Sequence, residues 1–289
     1  MKDSIGILLA GGTGSRLYPL TSSINKHMLP VYSKPLVYYS LSTLMLAQNR
    51  EIIIVVNPQD EKSFKNLFGD GSKFGFNLSY VLQNEPAGIA DGLNKCKKLA
   101  NGRNINLILG DNIFYGKGLQ ELLVSSKEYH PNCLFTQEVK NPKNFGVVVR
   151  DSQNKAVTIV EKPNHNVSNE AVLGLYFYDG NVFDYIESLS PSKRGELEIT
   201  DLNNIYLKQK KINIINVGRG ISWFDAGTIE DLYEASNFIQ AIEKRQNNII
   251  GSIEEVALNN GWINLNDLEK ILDNFQHADY AIHLKKKFF

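Results

Sequence analysis

Short apolar runs alternate with helical patterns through the first half of the chain. The runs are Ile5 to Leu9, Glu51 to Asn57, Leu78 to Gln83 and Ile105 to Leu109. The second is almost entirely Ile and Val, the mark of a central strand covered on both faces. Between the runs lie Leu36 to Ala47, with apolar residues on several faces and little charge, and Asp60 to Phe68, ended by Gly69, Gly71 and Gly75. A helix opened by Pro86 and Gly88 is expected to run to Leu99, and another covers Gly118 to Tyr129. This regular exchange predicts a parallel, doubly wound α/β sheet. Ligands of such sheets sit at the carboxyl ends of the strands. Gln83, Asp111 and the glycine loop after the first run all fall there.

The second half changes character. Cys133 to Val139, Gly146 to Arg150, Ala156 to Val160 and Val172 to Tyr178 read as strands, with Asp151 to Asn154 as a hairpin turn and Asn164 to Asn169 as a polar loop. Glu196 to Lys210 reads as a helix entered through Arg194-Gly195, and Ile212 to Val217 returns to strand. Thr228 is placed to cap a long helix to Arg245, with Glu230 and Asp231 in its first turn. Weaker helices follow Asn248, and the basic end Lys285-Lys286-Lys287 reads as solvated.

Charge and cysteine content narrow the function. Lys plus Arg and Asp plus Glu number 31 each in 289 residues, so no net field favours a nucleic acid polymer or an anionic membrane. No apolar stretch approaches the ~20 residues of a membrane span. Cys96 and Cys133 lack paired spacing or an adjacent His, which predicts reduced thiols in a cytoplasmic protein. Met1 to Ser4 leads at once into a short strand, so no signal peptide is expected.

The candidate chemistry begins at Leu9-Ala10-Gly11-Gly12-Thr13-Gly14-Ser15-Arg16-Leu17, with Lys26 farther on. Glycines let a backbone turn tightly near a ligand, and successive N–H groups in such a turn suit an anion. Arg16 and Lys26 add formal charge. The bland alternative is a tight strand-to-helix connection with two solvated cations. A Walker loop would end in Gly-Lys-Ser/Thr, where this chain has Gly14-Ser15-Arg16, and a dinucleotide fingerprint would need a small residue at Leu17. What remains is a phosphate cradle of another kind. Asp111 ends a buried strand, and Asp225 lies in Trp223-Phe224-Asp225-Ala226-Gly227-Thr228. Together they could hold Mg²⁺ between phosphates, since that ion takes one or two carboxylates plus phosphate and water. Alone, Asp111 could equally be a turn residue and Asp225 a helix cap. Glu161-Lys162-Pro163 offers an acceptor for sugar hydroxyls and a donor to a sugar phosphate, with Pro163 expected to hold the preceding side chains in an extended direction. It could also be an exposed ion pair. The Gln83 amide could meet an imide edge of a base, or belong to a turn. Arg194 to Asp201 reads mainly as a helix start with ion pairs.

Taken in order, these pieces resemble the sugar-phosphate nucleotidylyltransferases, most closely the glucose-1-phosphate thymidylyltransferase branch. The likeness rests on the Leu9 to Leu17 loop, Lys26 with Leu29-Pro30, Pro58-Gln59-Asp60, Leu67 to Gly71, and Leu109-Gly110-Asp111-Asn112. It continues through Phe145 to Val148, Glu161-Lys162-Pro163, Gly174 to Asp179, Arg194 to Asp201, and Gly218-Arg219-Gly220 through Trp223 to Asp225-Ala226-Gly227-Thr228. The resemblance implies a Rossmann-like doubly wound mixed sheet, the nucleotide-diphospho-sugar transferase fold. It implies a catalytic domain over 1–245, with a nucleotide half (1–130) and a sugar-phosphate half (131–245), and a C-terminal helical segment, 246–289, for oligomer or regulatory contacts. The implied reaction joins dTTP and glucose 1-phosphate into dTDP-glucose and pyrophosphate, the entry to deoxysugar nucleotides of the dTDP-rhamnose type.

By the same resemblance, Arg16, Lys26 and Lys162 are catalytic. Leu9, Gly11, Gly12, Thr13, Gly14, Arg16, Lys26, His27, Gln83, Gly88 and Asp111 bind the nucleotide. Asn112, Gly146, Glu161, Lys162, Val172, Tyr176 and Trp223 bind the sugar phosphate, and Asp111 and Asp225 hold Mg²⁺. A homotetramer, inhibited by a downstream deoxysugar nucleotide at a subunit interface, is the implied assembly. Two departures bear on the base. The position after Lys26 is usually Gln and here is His27. The base loop, usually Pro-Asp-Gly-Leu-Ala-Gln-Ala, here reads Pro86-Ala87-Gly88-Ile89-Ala90-Asp91-Gly92.

Overall fold

The computed structural model describes residues 4–289; Met1 to Asp3, part of the stretch read as lacking a signal peptide, lie outside the described residues. In chain order the elements are β1 (Ser4–Ala10), β2 (Pro30–Val31), β3 (Lys34–Pro35), α1 (Val37–Leu46), β4 (Glu51–Val56), α2 (Glu61–Phe68), β5 (Asn77–Leu82), α3 (Ile89–Asn94), α4 (Lys97–Ala100), β6 (Asn104–Leu109), β7 (Asn112–Gly116) and α5 (Leu119–Tyr129). They continue as β8 (Cys133–Glu138), β9 (Gly146–Arg150), β10 (Ala156–Glu161), β11 (Glu170–Tyr178), α6 (Val182–Glu187), α7 (Ile199–Lys208), β12 (Asn213–Asn216), β13 (Ile221–Asp225), α8 (Ile229–Gln246), α9 (Ile253–Asn259), α10 (Leu265–Asp273) and α11 (Asp279–Phe288).

Nine strands form one mixed sheet along the path β10-β9-β11-β6-β1-β4-β5, with β8 on β11 and β12 on β8. The block β6-β1-β4-β5 is parallel, as the apolar runs predict. Its alternation feeds two cores. Ile5, Ile7, Ile53 and Val55 face one cluster with α3, α6 and α7; Leu8, Ala10, Ile52, Ile54 and Val56 face the other with α1, α2 and α9 to α11. A strand with both faces buried needs no polar alternation. The second half adds antiparallel pairings: β11 runs against β6, β8 and β9, and β9 against β10. The C-terminal helices share a core with α1, through Ile253, Ala257, Leu268, Leu272 and Leu284. No helix among the described residues is long and apolar enough to cross a membrane. Cys96 and Cys133 are free and buried.

Along β11 the neighbour changes. Ala171 pairs with Val147 of β9, whereas Leu175 to Tyr178 pair with β6. The sheet therefore parts around Val172 to Gly174, next to the ends of β1 and β6. This split makes room for the site. A separate two-stranded ladder, β7 with β13, roofs it and sets Asp225 opposite Asn112.

Four features differ from the sequence pattern. The helix expected from Pro86 to Leu99 is two pieces, because the chain tightens at Cys96, whose N–H donates to the Leu93 carbonyl three residues back. The helix expected from Glu196 starts at Ile199. Leu197 is instead tied to the base loop, donating to the Ala87 carbonyl (2.8 Å) and accepting from the Ala90 N–H (3.3 Å). Lys162 is not extended before Pro163 but sits at φ 42°, in the left-handed region. The β7–β13 ladder and α6 have no counterpart in the sequence reading. By contrast, Thr228 caps α8 as expected, accepting from the Asp231 N–H. The Asp151 carboxylate closes the β9–β10 hairpin by accepting from the N–H groups of Gln153 and Lys155.

Candidate active site

A cavity of about 370 Å³ opens at the carboxyl ends of β1 and β6 and in the split of β11. Its lining includes Leu9, Gly11, Gly12, Arg16, Lys26, His27, Gln83, Gly88, Asp111, Asn112, Gly146, Glu161, Lys162, Val172, Tyr176, Trp223 and Asp225. Every candidate residue is thus in one cavity except Thr13 and Gly14. Thr13 lines a neighbouring polar cavity with Ser22, Asn25 and Asp60, and the two cavities share Gly12. Gly14 takes φ 64° and starts the short 3-10 turn Ser15–Leu17 that carries Arg16. Gly11 and Gly12 of the loop thus face the main cavity, while Thr13 faces the neighbouring one.

The charged end of the cavity is built by pairing. Lys26 is ion-paired to Asp111 and donates to its Oδ2. Asn112 Nδ2 donates to Asp111 Oδ1 at 3.0 Å. The Ala226 N–H donates to the Asp111 carbonyl at 2.9 Å, which brings Asp225 alongside. Burial alone would raise the Asp111 carboxyl; the Lys26 ammonium, His27 and the hydrogen bonds from Lys26 and Asn112 outweigh it and hold Asp111 well below the usual carboxylate range. Asp225 goes the other way: burial, then the Asp111 carboxylate, push it up, and Lys26 and Arg16 offset this only in part. Arg16 and Asp225 stand close together, both flanking Gly227.

Among the described residues no group of three or more His, Cys, Asp or Glu is arranged to hold a metal ion. The two carboxylates are a hard-oxygen pair whose charge Lys26 and Arg16 balance. They fit a hard divalent cation whose remaining ligands are phosphate oxygens and water.

Gln83, Gly88 and His27 also line the cavity. Gln83 Nε2 donates to Asp91 Oδ2 at 2.9 Å, and Asp91 is also ion-paired to Lys95. Asp91 therefore fixes the amide of Gln83. Gly88 has φ 107°, and a Cβ there would lie 2.5 Å from the Leu197 carbonyl oxygen, so no side chain fits where the base loop meets the strap before α7. His27 is buried, and burial followed by the Lys26 charge lowers its pKa to about 3. Asn25 Nδ2 donates to Asp60, so Asn25 Oδ1 is the acceptor for both the His27 N–H and its Nδ1, at 2.9 and 2.8 Å. The ring is neutral and protonated on Nδ1, which leaves Nε2 an acceptor.

The opposite end holds Glu161 and Lys162. Thr200 donates to Glu161 Oε2 at 2.5 Å, and Lys162 Nζ lies 3.7 Å from Glu161 Oε1. Arg194 is engaged chiefly with Glu198, at 2.8 Å, as a structural ion pair. Trp223 stacks edge-on with Phe145 (ring centroids 5.1 Å) and donates from Nε1 to Asn112 Oδ1 at 2.6 Å. Sequence reasoning missed Phe145, Glu196, Thr200 and Asn203 as lining residues. The available signal was the helical spacing of Thr200 and Asn203, which places them on one face of α7, whereas Glu196 lies before that helix.

A protein-family model described as nucleotidyl transferase matches residues 5–242. Glucose-1-phosphate thymidylyltransferase of Neisseria meningitidis serogroup A is 44% identical over 286 residues, 98% of this chain and 99% of the relative. The enzyme of the same name from Mycolicibacterium smegmatis is 46% identical over 279 residues, 96% of this chain and 97% of the relative. A Bacillus anthracis structure in complex with sucrose, named as a candidate glucose-1-phosphate thymidylyltransferase, superposes with a TM-score of 0.75 at 37% identity. It covers 82% of this chain and 95% of that one.

Proposed function

The chain belongs to the nucleotidyl transferase family, and from that premise we propose that it is a glucose-1-phosphate thymidylyltransferase, joining dTTP and glucose 1-phosphate into dTDP-glucose and pyrophosphate. The observation that carries this reading is one cavity with a cation-bearing cluster at each end. Arg16 and Lys26 stand with Asp111 and Asp225 at one end, and Lys162 stands with Glu161 at the other. A triphosphate suits the first end, and a hydroxylated monophosphate suits the second.

The reaction needs little from the protein beyond alignment and charge. A phosphate oxygen of glucose 1-phosphate forms a bond to the α-phosphorus while the bond to the β-phosphate bridge breaks in line. No general base is required, because a phosphate dianion is already nucleophilic. Holding two anions in register removes most of the entropic barrier. Arg16 and Lys26 neutralise the leaving pyrophosphate, and Lys162 offsets the repulsion between nucleophile and triphosphate. Asp111 and Asp225 would hold Mg²⁺, which when bound supplies Lewis-acid stabilisation to phosphoryl oxygens. Glu161, steadied by Thr200, accepts from sugar hydroxyls. Gln83 meets the imide edge of the base, and His27 Nε2 offers a further acceptor on the cavity wall.

The product fits the first step towards deoxysugar nucleotides of the dTDP-rhamnose type. We place the enzyme in the cytoplasm as a homotetramer, a state that light scattering would read directly. One alternative is favoured by a specific feature. Thymine and uracil present the same imide edge, so Gln83 does not separate dTTP from UTP, and His27 stands where the family has Gln. A relaxed enzyme using UTP or CTP is the competing reading. Pyrophosphate release with a panel of dTTP, UTP and CTP against glucose 1-phosphate decides between them. A dTTP preference no greater than ~10-fold in specificity, about 1.4 kcal/mol, overturns the dedicated assignment.

A further inference from the structure

Asn112 is 2% exposed and has nearly all its hydrogen-bonding capacity committed inside the protein. An amide side chain has two acceptor lone pairs and two donor hydrogens. Both lone pairs are taken: Oδ1 accepts from Trp223 Nε1 at 2.6 Å and from the Gly174 N–H at 3.1 Å. Those two donors fix which end of the amide is oxygen. The nitrogen must then face Asp111, and Nδ2 donates to Asp111 Oδ1 at 3.0 Å. The backbone is pinned as well, since Ser40 Oγ donates to the Asn112 carbonyl at 2.8 Å and the residue sits opposite Asp225 in the β7–β13 ladder. A Cβ on Gly174 would overlap this amide, at 2.5 Å from Oδ1, so β11 approaches as closely as a bare backbone allows.

We propose that Asn112 is a positioning residue that fixes the orientation of the Asp111 carboxylate from an anchor in the sugar-side wall. The anchor is Trp223 and Gly174, which border the split of β11. Of the two carboxylate oxygens of Asp111, Lys26 holds Oδ2 and Asn112 holds Oδ1. When Lys26 turns to phosphate, Asn112 is the contact that keeps the carboxylate aimed. The two halves of the site are therefore joined through one side chain. This role rests on the reading of Asp111 as a metal and triphosphate residue.

Two variants test it, each checked by thermal melting. Asn112→Ala removes every contact. Asn112→Asp keeps acceptors for Trp223 and Gly174 but loses the donor to Asp111, and it carries the test if the alanine variant does not fold. In both, kcat is expected to fall about 10- to 100-fold, the usual loss for a partner that orients a ligating carboxylate. The KM for glucose 1-phosphate should change less than kcat. For Asn112→Ala, Mn²⁺ titrated into the enzyme with dTTP should bind more weakly by about the same factor, with dTTP affinity in the absence of metal unchanged. An effect confined to the KM for glucose 1-phosphate, with wild-type kcat and Mn²⁺ affinity, overturns the proposal and makes Asn112 a simple sugar contact. If the wild-type enzyme releases no pyrophosphate, the reading of the reaction fails, while the Mn²⁺ titration still decides whether Asn112 orients Asp111.

Discussion

Lys26 is ion-paired to Asp111 on the wall of the cavity, so its ammonium lies against the carboxylate assigned to the metal. The same cation is assigned to the triphosphate. Phosphate and carboxylate then compete for one ammonium, and this competition has a consequence. Divalent metal alone should bind the free enzyme weakly and bind well once dTTP draws Lys26 away. Calorimetric titration of Mg²⁺ with and without dTTP checks this. Lys26→Met should improve metal binding without nucleotide and still lower kcat by about 100-fold or more, because a charge aimed at the transition state is gone. Equal Mg²⁺ affinity with and without dTTP would refute the competition.

The two carboxylates respond to pH in opposite senses. Asp225 has a raised pKa in the folded state, so its contribution to stability is full below the ordinary Asp value of 3.8 and is lost as pH rises through the raised value. Asp111 has a depressed pKa, so its contribution is present above 3.8 and is lost as pH falls through the folded value. Asp225→Asn should therefore raise the melting temperature of the ligand-free enzyme at about pH 8 and change it little at about pH 4, by roughly 2–4 °C for each kcal/mol recovered. Activity should collapse in the same variant. A melting temperature that falls at pH 8 would show that Asp225 is a structural carboxylate.

Lys162 sits at φ 42° beside Pro163, with its ammonium near Glu161. If that ammonium meets the sugar phosphate, Lys162→Ala should raise the KM for glucose 1-phosphate about 10- to 100-fold, the range for a charged hydrogen bond. The KM for dTTP should stay within a few-fold. Lys162→Gly suits the left-handed backbone better. It should melt no lower than the alanine variant and be no more active. A glycine variant that regains activity would assign the residue to the turn instead of the phosphate.

Thr200 steadies Glu161 through one hydrogen bond. The nearly isosteric Thr200→Val removes it, at a cost of about 1 kcal/mol. This should appear as an approximately fivefold loss in kcat/KM for glucose 1-phosphate with unchanged KM for dTTP. A loss shared equally by both substrates would mean that Thr200 supports the fold of α7 and not the sugar pocket.

The legible and illegible parts of this protein divide on a physical line. Strands buried on both faces, such as β1 and β4, announce themselves because nearly every residue in them is apolar. Thr228 and the Asp151 turn were readable because capping chemistry is local. The residues with charge at strand ends, Asp111 above all, were readable because β/α topology says where ligands sit. The β7–β13 ladder was not readable, since its strands are short and its pairing joins residues far apart in sequence. The same holds for the strap at Leu197: two backbone hydrogen bonds to the base loop outweigh the helical propensity of Glu196 to Glu198. Lys162 reads as extended by the rule for residues before proline. Its N–H instead donates to the Phe145 carbonyl at 3.0 Å, a contact across the β9–β10 hairpin that no local rule contains. Thr200 and Asn203 entered the site for the same reason, because α7 starts later than its pattern suggested and packs against β10.

The central claim is that one cavity aligns dTTP and glucose 1-phosphate for direct nucleotidyl transfer. It is tested most directly by pyrophosphate release from purified enzyme with Mg²⁺, dTTP and glucose 1-phosphate, each omitted in turn. The account predicts release that requires all three, with dTDP-glucose formed in equal amount. No Mg²⁺-dependent release with any nucleotide and sugar phosphate, or release from dTTP without glucose 1-phosphate, would contradict it.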